Sequence, residues 1–373
     1  MKRPTGDAMR IAIDARELSG HSGGVGRYLS ELLAEWAGMS AARRHEWTLV
    51  AHATPSVPAS FAGRVEVVPG DAGTVWEQWR LARALRALRP DVLFAPGYTA
   101  PIAAPCPVAL TIHDVSYCAH PEWFSVREGW RRRVLTRWSA RRAAVVLTDS
   151  RFSTTEIVRF TGVPQTRIRT IPLGVRRPST AAPTDANDRE PMLLYVGSIF
   201  ERRHVERLIA AFVRVVAARV PGARLEIVGE HRLRRPMSLQ RALADAPSDV
   251  RGRISLRSSV GEDVLADLYR RASAFAFLSE YEGFGLTPLE ALAAGVPPVV
   301  LDTPVAREVY AGAARYVTAR DSIDELGRAF VEVLTSTEAR SAMLRHASEV
   351  LSRYDWTRTA AATLAALEES AGA

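Results

Sequence analysis

The sequence predicts an α/β fold of two Rossmann-like, doubly wound domains facing each other, and three observations predict it. Short apolar, β-branched runs such as Ile11-Ala12-Ile13 and Leu193-Leu194-Tyr195-Val196 are each followed by a glycine-containing loop and then by helical periodicity. That order of strand, glycine loop and helix occurs in both halves of the chain, although no sequence repeat is visible. Between the halves, Arg176 to Pro191 is rich in proline, serine, threonine and alanine, with acids at Asp185, Asp188 and Glu190. A length of 373 residues suits two or three domains with sizeable cores. The expected division is 9–175, a linker at 176–191, and 192–356.

In the first half, Arg10 to Asp14 reads as a buried first strand. The loop Gly20 to Gly26 follows, then a helix with Leu29, Leu32, Leu33 and Trp36 on one face. The loop lacks the G-x-G-x-x-G spacing of a dinucleotide site, and a flexible turn or a ligand loop both fit it. Further strands are expected at 48–51, 65–68, 91–94 and 108–112, with a helix from Trp76 to Leu88. The strand at 108–112 runs directly into His113-Asp114. A lone histidine there is commonly structural, but the carboxyl end of a strand is where open α/β sheets bind ligands. Ser125 to Ala143 carries Trp130, Val134, Leu135 and Trp138 on a helical stripe beside seven arginines. Either the stripe faces the core with a solvated basic back, or the helix lies on anionic lipid. A strand at 145–150, a helix from Ser153 and the segment 169–175 close this half.

The second half opens with a strand at Met192. The loop Gly197 to His204 brings the adjacent Arg202 and Arg203, which are either solvated or anion-binding. Strands at 225–230, 274–278 and 298–301 and helices at 260–270, 322–335 and 337–351 follow, with an alanine-rich helix last. The most informative stretch is Ser279 to Pro298. Gly283 and Gly285 make a loop whose backbone lets a ligand approach closely. Thr287-Pro288-Leu289-Glu290 then reads as a helix start, with Thr287 at the N-cap, Pro288 at N1 and Glu290 closing a capping box from N3. Gly295 is the expected C′ residue. The unpaired N–H groups of such a start favour a phosphate, although a turn without a ligand has the same pattern.

Glu282 and Glu290, separated by seven residues and flanked by Gly-Phe-Gly-Leu and Ala-Ala-Gly-Val-Pro, resemble the E-x7-E signature of a known family. It is that of the retaining, nucleotide-sugar-dependent glycosyltransferases of family 4, which have the GT-B fold. The resemblance extends from Gly23-Gly24 to Trp356. Thr111 to Tyr117, with His120 to Ser125, is similar to a bacterial branch rich in mannosyltransferases. The resemblance implies a cleft between an acceptor-side first domain and a nucleotide-sugar-binding second domain. It also implies a C-terminal helix, about 357–373, that crosses back to complete the first.

Residue roles are implied as well. Gly24 offers a backbone N–H to the donor diphosphate, and His113 lies near the transferred sugar and donor phosphate. Arg203, with Arg202 beside it, neutralises the diphosphate. Glu282 bonds sugar hydroxyls, and Glu290 bonds ribose hydroxyls. The amides of Phe284, Gly285 and Leu286 meet the sugar and β-phosphate, and Thr287 meets the phosphates. His113, Glu282 and Arg203 form the expected catalytic set. The chain departs from the family by having Arg203 where lysine is usual and His204 where asparagine is usual, and a planar guanidinium is not a point-like ammonium.

The implied reaction is retaining transfer of a hexose to a hydroxyl of a glycan or polyprenyl-linked glycan in surface-polysaccharide synthesis. Mannose from GDP-mannose is the first expectation, with UDP-glucose behind it. No cofactor or metal is expected, because fixed hydrogen-bond donors can meet the leaving charge and no D-x-D ligand pair stands out.

Composition narrows the alternatives. The net charge of +8 suits an anionic partner, whether nucleoside diphosphate, anionic lipid or nucleic acid. A basic nucleic-acid-binding protein is the rival class, but no recognition helix or aromatic sheet motif supports it. A catalytically inactive GT-B partner subunit is the third. Cys106 and Cys118 have no metal-type spacing, so a reducing cytoplasm is expected. The polar start lacks the apolar core of a signal peptide, and no run reaches the roughly 18 apolar residues of a spanning helix. Any membrane contact is expected to be peripheral, on the inner face of the plasma membrane.

Overall fold

The computed structural model describes residues 8–20, 23–176, 189–232 and 237–372. The chain divides into two compact units, one of Met1–Gly174 with Tyr354–Ala373 and one of Val175–Arg353.

In the first unit, seven parallel strands form one sheet: β1 (Arg10–Asp14), β2 (Glu46–Ala51), β3 (Arg64–Val67), β4 (Val92–Ala95), β5 (Val108–Thr111), β6 (Val145–Thr148) and β7 (Ile168–Thr170). Their order is β3-β2-β1-β4-β5-β6-β7. β4, β5 and β6 are buried along their whole length, which is why they read as unbroken apolar runs rather than alternating ones. Helix α1 (Gly24–Gly38) buries Leu29, Leu32, Leu33 and Trp36, as its periodicity predicts. The stretch expected to be helical from Trp76 begins with a π turn over Trp76–Leu81 before α geometry resumes at Ala82–Leu88.

Helix α2 (Val126–Arg142) turns a different face inward from the one its aromatic stripe suggests. Its buried residues are Gly129, Thr136, Ser139 and Ala140, whereas Trp130 and Trp138 are 62% and 52% exposed. Small side chains let this helix approach the sheet layer closely, so the core-facing reading of the tryptophan stripe does not hold. Helix α3 (Arg151–Thr161) follows β6, capped by Ser150, whose side chain accepts the Ser153 N–H.

The C-terminal helix, Trp356–Ala371, belongs to the first unit and packs on α1 and on β4, β5 and β6. Asp355 caps it by accepting the Arg358 N–H at 2.9 Å, and the Trp36 indole donates to Ala360 O at 2.9 Å. Trp356, Ala360, Leu364 and Leu367 form its buried stripe. Tyr354, Asp355 and Trp356, expected in the second domain, therefore lie with the first, because the cap and first turn go with the helix they start. Of the expected linker, residues 177–188 lie outside the described residues, and Glu190 and Pro191 already belong to a strand.

The second unit holds six parallel strands: β8 (Glu190–Val196), β9 (Arg224–Val228), β10 (Ile254–Arg257), β11 (Ala272–Phe277), β12 (Pro298–Leu301) and β13 (Arg315–Val317). The order is β10-β9-β8-β11-β12-β13. Helices α4 (Glu262–Arg271), α5 (Leu286–Ala293) and α6 (Pro304–Tyr310) lie between its strands in the chain. Each sheet reverses its winding once, between β1 and β4 in the first and between β8 and β11 in the second. Loops at the carboxyl ends of the strands flanking such a reversal diverge and leave a crevice for ligands.

Gly174 marks where the C-terminal helix docks. A Cβ there would lie 2.3 Å from the Trp356 backbone nitrogen and 2.4 Å from its ring. Gly174→Ala should therefore destabilise the protein by about 1–3 kcal/mol in a denaturant titration, the usual cost of overpacking. Gly38→Ala, where a Cβ meets nothing within 4 Å, should leave stability unchanged or slightly raised.

Candidate active site

At the winding reversal of the second sheet, β8 ends in the loop that carries Arg202 and Arg203, and β11 ends in the loop that carries Glu282. The two loops are joined by the backbone, Glu280 N–H donating to Arg202 O at 2.9 Å. They are joined more firmly by an ion pair. Arg203 Nε donates to Glu282 Oε1 at 2.8 Å, Nη2 lies 2.8 Å from the same oxygen, and Nη1 donates to Ser198 O at 3.0 Å. Ser279 Oγ donates to Glu282 Oε1 as well, at 2.8 Å. All these bonds to the carboxylate converge on Oε1, and Oε2 takes no part in them.

The guanidinium lies over Phe277 at 5.0 Å and Phe200 at 5.6 Å, and that of Arg202 lies over Phe200 at 4.4 Å. Burial alone would raise the Glu282 carboxyl. The charge of Arg203, then that of Arg202, and the hydrogen bonds from Arg203 and Ser279 outweigh it and hold Glu282 below the ordinary carboxylate range. Burial likewise opposes charge on Arg203, and Glu282 outweighs it. His204 stands in the left-handed region, φ 47°, with Nε2 2.7 Å from Glu280 Oε1. Asparagine and histidine are among the non-glycine residues that tolerate this conformation, which gives a physical reason for either at this position.

The helix start differs from its expected form. α5 begins two residues earlier, at Leu286, with Gly285 at the N-cap in the left-handed region, φ 86°. Thr287 is therefore not the N-cap, Glu290 is not at N3, and the N-cap residue, a glycine, offers no side chain to cap the helix. The positive φ lets the chain turn directly from loop to helix without a hydroxyl cap. Tyr310 on α6 fixes the turn by donating to Gly285 O at 2.7 Å, and a Cβ on Gly285 would lie 2.1 Å from that hydroxyl. The other end is as expected: Gly295 N–H bonds Leu292 O and Val296 N–H bonds Ala291 O, a Schellman pair with Gly295 at C′.

The Phe284 side chain is buried, and Leu286 and Thr287 are half-buried at the head of the helix. Thr287 Oγ1 is buried and has no hydrogen-bond partner among the described residues. Glu290 is buried in the body of α5, its Oε2 accepting from the Tyr269 hydroxyl of α4 at 3.4 Å. The helix thus presents its first N–H groups toward the loop that holds Glu282.

In the first unit, Gly24 is the first residue of α1, and a Cβ there would meet no atom within 4 Å. His113 follows β5. Its Nε2 lies 3.1 Å from Pro96 O, just beyond β4, and its Nδ1 lies 2.8 Å from Asp149 Oδ2, just beyond β6. Three neighbouring strands thus deliver carbonyl, imidazole and carboxylate to one place. Tyr28 of α1 meets the imidazole edge-on at 4.9 Å and Tyr98 does so at 5.7 Å. Burial works against charge on His113, but Asp149, Asp114 and the Pro96 carbonyl outweigh it and raise its pKa above the ordinary histidine value. The Asp149 carboxyl is also pushed up, by burial first, with His113 opposing.

Sequence reasoning missed Asp149, Ser279 and Tyr310. It also missed a buried cluster at the end of β1, where Arg16 pairs with Asp14 at 2.6 Å and with Glu77, and Thr99 Oγ1 donates to Glu77 at 2.6 Å. A polar residue placed directly after an apolar strand was the available signal for Asp149 and Ser279. Among the described residues no group of three or more His, Cys, Asp or Glu side chains is placed to hold a metal, and no helix is long and apolar enough to cross a membrane.

Comparison with known proteins agrees with this architecture. Residues 22–177 match the family described as Glycosyltransferase Family 4, and residues 177–350 match that described as Glycosyl transferases group 1. The O-antigen chain mannosyltransferase RfbU of Salmonella typhimurium is 25% identical over 247 residues, covering 66% of this chain and 65% of that protein. A GDP-mannose-dependent alpha-(1-6)-phosphatidylinositol dimannoside mannosyltransferase of Mycobacterium tuberculosis is 30% identical over 217 residues, 56% of this chain and 54% of its own. Anabaena HepE, solved in complex with UDP-glucose, is similar in fold with a TM-score of 0.72 at 18% identity, covering 96% of this chain and 100% of that one. With two parallel sheets that each reverse once, and family matches that run from residue 22 to residue 350, the chain belongs to the family 4 glycosyltransferases of the GT-B fold.

Proposed function

We propose that this glycosyltransferase moves a hexose, mannose from GDP-mannose, to a hydroxyl of a glycan or lipid-linked glycan in surface-polysaccharide synthesis, with retention at the anomeric carbon. The observation that carries the reading is the Arg203–Glu282 pair beside the glycine-led start of α5. A fixed cation and the first backbone N–H groups of a helix, beside a carboxylate held ionised, support it. The glycosidic bond to the β-phosphate breaks, and the leaving diphosphate is met by Arg203, with Arg202 beside it, and by the amides of Phe284, Gly285 and Leu286. Such preorganised donors act most strongly where charge develops.

Glu282 Oε2 accepts from sugar hydroxyls, and Glu290 accepts from the ribose. The Thr287 hydroxyl and the Gly24 N–H serve the phosphates, and His113 lies at the sugar. The acceptor hydroxyl attacks from the face that the leaving group departs, and a β-phosphate oxygen takes its proton. No step requires a metal. The donor is chosen on the printed names of the mannosyltransferase relatives, and UDP-glucose is the alternative that the HepE complex keeps open. Nucleotide release measured across a panel of sugar nucleotides tests the choice: turnover with GDP-mannose alone supports it, and turnover only with a uridine donor overturns it.

A second surface carries the acceptor-side reading. Trp130, Trp138 and Val126 of α2 are exposed, and Trp79 of the π turn is 75% exposed. Arg131 Nη1 donates to Thr74 Oγ1 at 2.9 Å, which sets the two elements side by side. Exposed tryptophans among arginines suit a peripheral site on anionic lipid, where a lipid-linked acceptor would be met.

Three outcomes follow. Arg203→Ala should lower turnover by about 10²–10³, as for one lost donor to a developing anion. Arg203→Lys should restore much of it, and a near-normal Arg203→Ala rate would remove the role. Because α5 has no capping box, Glu290→Gln should leave the melting temperature unchanged, while calorimetric affinity for the nucleoside diphosphate weakens roughly ten- to a hundredfold. Unaltered affinity would take Glu290 out of the ribose site. Flotation with anionic vesicles should show binding that salt weakens and that Trp79→Ala with Trp130→Ala abolishes. Equal binding to neutral vesicles, or none, would dismiss the membrane surface.

A further inference from the structure

We infer that His113 and Asp149 hold one extra proton between them at neutral pH, so that His113 acts only as a hydrogen-bond donor and Asp149 is the residue that positions and protonates it. The inference rests on the proposed role of His113 beside the sugar and concerns what kind of group it is there.

The argument is one of counting protons on named atoms. The Pro96 carbonyl, 3.1 Å from Nε2, only accepts, so Nε2 carries hydrogen. If the ring were neutral, Nδ1 would then point its lone pair at Asp149 Oδ2, 2.8 Å away. With Asp149 ionised, that would set two acceptors in contact with no proton between them, inside a buried site. The other neutral tautomer only moves the same conflict to Nε2 and Pro96. Either way a proton is missing. Supplying it satisfies every partner, and of the two atoms that could take it the imidazole Nδ1 is more basic than a carboxylate oxygen, so both ring nitrogens carry hydrogen and Asp149 accepts as a carboxylate.

The surroundings favour that state. Asp114, in the loop after β5, adds a second carboxyl, its Oδ1 taking the Ser116 N–H at 2.7 Å and its Oδ2 the Tyr98 hydroxyl at 3.2 Å. From α1 and from the loop after β4 come Tyr28 and Tyr98, both pushed by burial well above the ordinary phenol range and so neutral. From α3, the Ser153 hydroxyl donates to the His113 carbonyl at 3.1 Å and fixes the main chain. The consequence is chemical. A ring with hydrogen at both of its bonds has no lone pair to take the acceptor proton, so His113 is not a general base. It has an N–H that leaves Pro96 for an oxygen of the donor, with no proton transferred.

The test reads the proton directly. In full-length protein labelled with ¹⁵N-histidine, the His113 ring, assigned by its loss in His113→Gln, should show two protonated nitrogens at pH 7. It should titrate above the roughly 6.5 of a free histidine. In Asp149→Asn the ring should be neutral at pH 7 and titrate below that value, because burial is then unopposed. Turnover should fall about tenfold, the difference between a charged and a neutral donor. Since the protonated form is the active one, the rate falls as pH rises through its pKa, and that fall should move to lower pH in Asp149→Asn. A singly protonated His113 in the wild type overturns the inference, whether or not the variant folds. A variant with wild-type spectrum and pH profile does so too. A doubly protonated His113 in a protein that turns over no sugar nucleotide would instead sink the proposed function alone.

Discussion

A carboxylate and a guanidinium, each largely withdrawn from water, hold the second unit's site together. Neither Glu282 nor Arg203 is stable there alone. Removing one partner of a buried pair typically costs about 3–5 kcal/mol, because the other charge is stranded. The pair therefore fixes both loops at once. It sets Ser279 against the carboxylate, holds the guanidinium between Phe200 and Phe277, and draws the β8 loop to the β11 loop. The strand order makes this possible. β8 and β11 are neighbours although 75 residues of chain lie between Val196 and Ala272, so their loops meet where the winding reverses.

The first unit uses the same geometry with different chemistry. β4, β5 and β6 lie side by side and in parallel, with Ala95 paired to Leu110 and Thr111 to Leu147. One or two residues past those pairings, the chain leaves the sheet and brings Pro96 O, His113 and Asp149 together. In one unit the key polar contact is the Arg203–Glu282 ion pair, and in the other it is the contact of the His113 imidazole with the Asp149 carboxyl.

Much of this was legible in the sequence because parallel strands announce themselves as apolar runs and the loops after them are short. His113 was legible as a polar residue at a strand end. Asp149 stands in the same place after β6, but an acid there is ordinary, and only the three-dimensional neighbourhood distinguishes it. Tyr310 lies 25 residues from the Gly285 carbonyl it holds, and no local pattern connects them. The start of α5 was misplaced because Thr-Pro-Leu-Glu fits a capping box so well. A glycine with positive φ can begin a helix without one, and a one-letter sequence carries no dihedral angle. In α2 the large apolar side chains dominated the periodicity, whereas the face that packs inward is made of Gly129, Thr136, Ser139 and Ala140. Short edge strands such as β10 and β13 have too few apolar residues to stand out.

The membership of Trp356–Ala371 in the first unit has a consequence for how the polypeptide matures on the ribosome. The second unit, Val175–Arg353, is one uninterrupted segment, so all its partners have emerged before the chain ends. The first is not. Its sheet is synthesised early, but the face of β4, β5 and β6 that receives the C-terminal helix, together with the Trp36 indole that bonds Ala360, waits for Trp356–Ala371 to be translated. Synthesis at roughly 5–20 residues per second sets that wait at some ten to forty seconds after Gly174 is made. During it the earlier half of the chain holds an uncovered apolar groove, and the later half can already be native. Order of synthesis and order of completion are thus reversed in this protein, and the nascent chain's exposure to chaperones and to aggregation falls on its first half.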